Sequence, residues 1–258
     1  MFLMCNPDHF SVVYDINYWM DGIIGTVNSA LAVNQWKSLY DALSSYQEVK
    51  LVESTPDLPD MVFTANAGIV VGQKAVVSSF KHQERRAESL LFADFFEKQG
   101  YKTCQLTFPY EGQGDHLVDA NGKHWVGYGF RTSIDCKDQL EAAIDNEVSM
   151  LELVDPRWYH LDTAFCPLSD GTLLWYPGAF SVESQQSINR VFGKQIIVSE
   201  QDAERFACNA ICTDDLVIIP QNHMVTPELT KAGFSVIELD FSEYIKAGGA
   251  AKCLGFQF

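Results

Sequence analysis

Cys253 follows the small-residue run Ala247-Gly248-Gly249-Ala250-Ala251-Lys252. Small residues ahead of a cysteine let backbone approach a bound molecule closely, and a lysine next door favours thiolate. The same run also reads as a tight turn before a terminal strand, with a buried thiol. In Asp155-Pro156-Arg157-Trp158-Tyr159-His160-Leu161-Asp162, residues 160 and 162 point the same way on an extended strand, so an imidazole and a carboxylate face one cavity. Glu111-Gly112-Gln113-Gly114-Asp115 sets two acids around glycines that leave the approach of a ligand unobstructed, and Asp60 and Asn66 flank an apolar stretch beginning Met61-Val62-Phe63. Either acidic cluster alone also fits a solvated loop. Together, a thiol, an imidazole and several acids are the parts of nucleophilic catalysis with proton transfer.

Those parts need a scaffold, and the chain has an internal rhythm. Val62–Val71 reads as a strand, Gly72-Gln73-Lys74 as a turn and Ala75–Val77 as the returning strand. A helix near Gln83–Gln99 and a strand Tyr101–Leu106 complete the unit. The grammar recurs from His116 with helix Lys137–Val148 and strand Leu151–Val154, from Leu161 with helix Ser184–Phe192, and from Ala210 with helix Pro227–Ala232. Four ββαβ copies about 45 residues apart predict an α/β propeller. Strand Phe2–Cys5, helix Ala30–Ser45 and a C-terminal strand Lys252–Phe258 supply a fifth copy across the termini. A ring of such units has a central channel lined by one end of each first strand, where polar groups converge. Those ends carry Asp60 and Asn66, Glu111 and Asp115, His160 and Asp162, Asn209, and Cys253.

Composition narrows the partners. The 258 residues carry 18 Lys+Arg against 34 Asp+Glu, a net charge of −16, which argues against a nucleic-acid surface. No apolar run approaches the roughly 20 residues needed to cross a bilayer, and the N-terminus lacks a basic stretch and breaks at Pro7, unlike a signal peptide. Seven scattered cysteines without paired CxxC spacing predict buried thiols in a reducing, cytoplasmic setting and no metal centre. No GxGxxG or P-loop exists, so no nucleotide cofactor is expected. With no linker-like tract, residues 1–258 are expected to form one catalytic domain, and a homo-oligomer is compatible with everything read so far.

In order along the chain, Asp60-Met61-Val62-Phe63-Thr64-Ala65-Asn66, Glu111–Asp115, Gly129-Phe130-Arg131-Thr132, His160-Leu161-Asp162-Thr163-Ala164 and Ala247–Cys253 resemble the pentein guanidine-modifying superfamily of arginine deiminases, dimethylarginine dimethylaminohydrolases, amidinotransferases and arginine dihydrolases. Met4–Phe10 and Ile16-Asn17-Tyr18-Trp19-Met20 look most like the dihydrolase and amidinotransferase-like branch. The resemblance implies a five-bladed ββαβ propeller with pseudo-fivefold symmetry. It implies Cys253 as nucleophile, His160 as general acid and base, and Glu111 as its orienting carboxylate. Asp162, with Asp60 or the side chain at 66, would clasp a planar guanidino group, Arg131 and Arg85 would meet the α-carboxylate, with Arg86 equally available, and Asn17 and Phe63 would complete the substrate site, a core role for Phe63 staying open. Deiminases usually have aspartate where Asn66 stands, whereas the dihydrolase branch has asparagine. A neutral citrulline intermediate has a carbonyl oxygen that an asparagine amide can donate to. The implied reaction is hydrolysis of L-arginine to ornithine, carbon dioxide and ammonia without a cofactor. Amidino transfer, a single deimination to citrulline, dimethylarginine hydrolysis and a non-catalytic amino-acid sensor are the alternatives. Two departures stand out: Ala250 replaces a frequent glycine, and His116 replaces a small apolar residue and adds a titrating group near the site.

Overall fold

The computed structural model describes residues 1–258. Strands β1 (Phe2–Cys5) and β2 (Val49–Val52) lie parallel, joined by the helix Ser29–Ser44. Then come four units of identical plan. They are β3 (Gly68–Val71), β4 (Lys74–Val77) and β5 (Lys102–Gln105); β6 (His116–Val118), β7 (His124–Tyr128) and β8 (Val148–Glu152); β9 (Phe165–Pro167), β10 (Leu173–Trp175) and β11 (Gln195–Ile197); and β12 (Ile211–Thr213), β13 (Leu216–Pro220) and β14 (Ser235–Leu239). In each, the first two strands pair antiparallel and the third returns parallel through a crossover helix. The last strand, β15 (Phe256–Gln257), adds antiparallel to β1 with Phe2 opposite Gln257. Five three-stranded blades result, the fifth assembled from both ends of the chain. This is the predicted five-bladed propeller.

The crossover helices turn apolar stripes inward at helical spacing. Phe92 and Phe96, one turn apart, are fully buried on the helix Glu88–Lys98. Phe96 packs on Phe256 of the neighbouring blade at a ring-centroid distance of 5.3 Å. Truncating such a ring costs about 3–5 kcal/mol, so blade-to-blade packing is a large part of what holds the ring closed. No helix is long and apolar enough to cross a membrane.

Several predicted elements shift. The strands expected from Val62, Leu161 and Lys252 begin later. Pro59–Val62, Thr64–Ala67 and Leu161–Thr163 are 3₁₀ turns, and 251–254 form another turn before β15. His160 and Asp162 are therefore not neighbours along one face of a strand; Asp162 lies inside the turn that follows His160. The helix expected over Gln83–Gln99 is a 3₁₀ turn, Gln83–Arg85, followed by Glu88–Lys98. The helix expected to reach Val148 stops at Ile144, because Asp145 adopts the left-handed conformation at φ 56° and its N–H closes onto Glu141 O. That stop moves the following strand forward to Val148–Glu152. β2 was not anticipated. Its four residues, Val49-Lys50-Leu51-Val52, are only partly buried or exposed and carry a weak alternation.

Candidate active site

The turns that precede the inner strands are the frame of the site. Glu111 lies just ahead of the one-turn helix Gly112–Asp115, His160 and Asp162 lie at the Leu161–Thr163 turn, and Asn209 lies before β12. Cys253 sits in the last turn, before β15. A helical turn closes its own backbone hydrogen bonds, which lets the chain present side chains inward without a sheet partner. The turn that carries Cys253 is bolted to the first unit: Ala65 N donates to Cys253 O at 3.1 Å, and the Thr64 hydroxyl donates to Leu254 O at 2.9 Å and Leu3 O at 2.8 Å.

Cys253, His160, Asp162 and Glu111 are at most 3% exposed. The Cys253 thiol donates to Asp162 Oδ2 at 3.2 Å and accepts from Asn209 Nδ2 at 3.1 Å. Asn209 Oδ1 in turn accepts from the backbone N–H of Ala250 at 3.0 Å and of Cys253 at 3.3 Å. One amide thus fixes both the loop and the sulfur, although the sequence marked Asn209 only as a polar strand end. Burial, then the Asp162 carboxylate, pushes the Cys253 thiol well up. Burial likewise pushes the Asp162 carboxyl up to about 7, against the pull of Lys252, Cys253 and Asn209. The expectation that Lys252 favours thiolate is not met by the geometry. Its ammonium donates to Gln113 Oε1 at 2.8 Å and Gly255 O at 3.1 Å, and burial lowers its own pKa to about 8.

His160 Nε2 lies 2.8 Å from Glu111 Oε2, which also takes Arg131 Nη1 at 3.0 Å. Burial alone would raise the Glu111 carboxyl; Arg131, His160 and Arg85 outweigh it and hold it well below the usual carboxylate range. Arg131 also donates to Ile16 O at 3.0 Å and stacks over the Tyr159 ring at 4.6 Å. That uses two of its five N–H groups. The Tyr159 ring packs on His160 at 4.6 Å, and its hydroxyl donates to Gly248 O at 2.8 Å. Gly248 sits at φ +82°, with Asn17 Oδ1 and Tyr159 Oη each 2.9 Å from where a Cβ would be. At Gly249 a Cβ would fall 2.6 Å from Phe63 and 3.1 Å from the Cys253 Cβ. Phe63, Asn17, Tyr159, His160 and Cys253 therefore lie together around the Gly248-Gly249 turn. The Asn17 amide holds Ala247 O at 3.1 Å.

Asn66 and Arg85 form the other wall. Arg85 grips Glu88 with two bonds of 2.8 Å and donates to Asn66 Oδ1 at 3.0 Å and Asp60 O at 3.2 Å. A guanidinium only donates, so the Asn66 oxygen must face it and the amide nitrogen must face the opposite way. That nitrogen lies 3.3 Å from Glu111 O and borders Gly114, beside the His160 ring. Asp60 Oδ1 and Asp162 Oδ1 are buried without a hydrogen-bond partner. The Tyr14 hydroxyl neighbours Asp60 and lowers its carboxyl, yet meets no partner at full hydrogen-bond geometry. Burial raises the Asp60 carboxyl despite Arg85.

His116 faces elsewhere. Its ring joins Tyr110 Oη and His124 Nδ1, each at 2.8 Å, and burial followed by His124 lowers its pKa to about 3. At neutral pH it does not titrate, contrary to the expectation from sequence. Ala250 is fully buried in the loop before Cys253. Asp115 was noted only as an acid among glycines. It carries the frame, accepting from the Thr132 hydroxyl at 2.7 Å and from Leu161 N at 3.0 Å.

Comparison with known proteins agrees with this architecture. The profile of the eukaryotic N,N dimethylarginine dimethylhydrolase family matches residues 17–257. The bifunctional arginine dihydrolase/ornithine cyclodeaminase AgrE of Nostoc sp. is 46% identical over 98% of this chain, which spans 37% of that protein's length. The N(G),N(G)-dimethylarginine dimethylaminohydrolase of Mycobacterium tuberculosis is 39% identical over 98% of this chain and 83% of its own. Among solved structures, the N-terminal domain of ArgZ, described as an arginine dihydrolase from the ornithine-ammonia cycle in cyanobacteria, superposes with a TM-score of 0.97 at 45% identity, covering 99% of this chain and 96% of that one. Motifs, ring and relatives agree: the chain belongs to the pentein guanidine-modifying superfamily, in the branch of the dimethylarginine hydrolases and arginine dihydrolases.

Proposed function

We propose that residues 1–258 form one catalytic domain that hydrolyses the guanidino group of L-arginine to ornithine, carbon dioxide and ammonia. One observation carries this reading: two buried carboxylate oxygens, Asp60 Oδ1 and Asp162 Oδ1, have no partner in a site that holds a buried thiol. Asp60 Oδ2 has Arg85 at 3.9 Å and Asp162 Oδ2 has the Cys253 thiol, but a buried oxygen left without a hydrogen bond still costs about 1–3 kcal/mol. A flat cation whose nitrogens all donate relieves that cost.

The chemistry follows from the contacts. In the free protein, Cys253 and Asp162 share a proton. A guanidinium beside them favours the ionised forms, so substrate binding expels the shared proton to solvent and leaves the sulfur as thiolate. The thiolate attacks the guanidinium carbon, and His160, held by Glu111, protonates the departing ammonia. His160 then takes a proton from the water that adds to the thiouronium carbon, and the C–S bond breaks to leave citrulline. A second attack on the ureido carbon expels the second ammonia and leaves a thiocarbamate. Water converts this to the carbamic acid of ornithine, which loses carbon dioxide. Asn66 fits this second round because its nitrogen, not its oxygen, is turned away from Arg85. Arg131 keeps three N–H groups for the α-carboxylate, five less the two already used. Arg85 has one left, and Asn17 and Phe63 close the mouth. Seven free thiols suit a reducing cytoplasm.

An end-point assay of arginine, citrulline, ornithine and ammonia tests the reading, with Cys253→Ala expected to abolish all products. Asn66→Asp should release citrulline; ornithine as the sole product would overturn the role given to Asn66. The family profile favours dimethylarginine as the second candidate substrate. Faster turnover of it than of arginine, with citrulline as product, would replace the first reading.

A further inference from the structure

The inner strands are short: β6, β9 and β12 have three residues each and β15 has two. At about 3.3 Å per residue, roughly 10 Å of protein separates the turns that carry the site from the far mouth of the ring. A cavity of about 290 Å³ opens at that far mouth, lined by the distal ends of these strands, among them Ala120, Pro167, Cys212 and Gln257. Lys252, the residue before Cys253, also lines it. The Lys252 ammonium reaches Gln113 Oε1, and Gln113 is followed by Gly114, which lies against the His160 ring. A chain of contacts thus runs from this cavity through Lys252 and Gln113 to the residues next to Cys253 and His160.

The proposed reaction needs traffic. Arginine plus two waters gives ornithine, carbon dioxide and two ammonia. Ammonia must depart and water must arrive at the carbon bonded to Cys253 while the amino-acid end still fills the near mouth, where Phe63, Tyr159 and Gly248 crowd the approach. Retaining citrulline between rounds makes the same demand twice. We propose that the far cavity, floored by the Lys252–Gln113 contact, is the passage by which water reaches the Cys253 adduct and ammonia leaves it. This rests on the hydrolytic reading above.

The test separates forming the adduct, which uses no water, from its hydrolysis, which does. Cys212→Phe places a ring in the cavity, and Ala120→Trp, in an exposed turn, narrows its mouth with little risk to folding. Single-turnover reactions with arginine, quenched and weighed by mass spectrometry, follow the Cys253 adduct. The expected result is adduct formation within twofold of the unsubstituted chain and adduct decay slowed tenfold or more in at least one variant. Decay at the unsubstituted rate in both folded variants overturns the passage and leaves the hydrolytic reading intact. Absence of any adduct or product in the unsubstituted chain overturns the hydrolytic reading, and the passage with it.

Discussion

Two pairs of buried carboxylates sit within the same ring and are treated in opposite ways. Glu111 and Glu88 are saturated: Glu111 holds Arg131 and His160, and Glu88 holds Arg85 through both oxygens. Asp60 and Asp162 each keep one oxygen with no partner. All four are at most 2% exposed, so burial does not distinguish them; pairing does. Acids with both oxygens engaged build the walls, and those with one oxygen left over keep a cost that a cationic ligand would remove.

The sharpest way to break this contrast is Asp162→Asn. Turnover of arginine should fall by about 10³-fold, while the free protein, relieved of an unpaired acid, gains about 2–4 °C in Tm. A loss of both would place Asp162 among the walls. Glu88→Ala should do the reverse to stability: stranding the Arg85 guanidinium costs about 3–5 kcal/mol, read as a Tm drop of roughly 10 °C. An unchanged Tm would show that Glu88 is not structural.

The pH dependence carries the contrast further. Asp162, pushed up to about 7 by burial, offers a guanidinium a full negative charge only when ionised; protonated, it keeps an acceptor oxygen but loses the ion pair. The kcat/KM for arginine should therefore fall about tenfold per unit as pH drops below 7. Stability of the free protein runs the other way. A carboxyl raised in the folded state contributes fully below its unfolded value near 4, and that contribution is lost as pH rises through about 7. Glu111, held low, contributes stability above its unfolded value and loses it only in acid. Thermal melts of the unsubstituted chain and Asp162→Asn should diverge between pH 4 and 7; parallel curves would refute the assignment. The smallest effect is expected at His116→Gln, with turnover within threefold and a stability loss of about 1–2 kcal/mol from the Tyr110 and His124 bonds.

Much of this was legible in the sequence. The strand–turn–strand–helix grammar repeats because each blade solves the same packing problem, so period and turn residues exposed four blades directly. The opening turns were misread because Met61-Val62-Phe63 and Leu161-Asp162-Thr163 have strand-like composition, while tertiary hydrogen bonds to residues far along the chain fold them as 3₁₀ turns. β2 escaped because four half-exposed residues carry too little alternation. Cys253, His160, Glu111 and Asp162 were marked by family motifs. Asn209 and Gln113 carry no local signal of their roles, since Asn209 acts on a partner 44 residues along the chain and Gln113 on one 139 residues along.

The fifth blade is stitched from the first and last strands, and the turn that carries Cys253 hangs directly on that seam. Placement of the sulfur therefore depends on closure of that seam, so recovery of arginine turnover on refolding is expected to trail the return of helical signal; simultaneous recovery would refute the dependence.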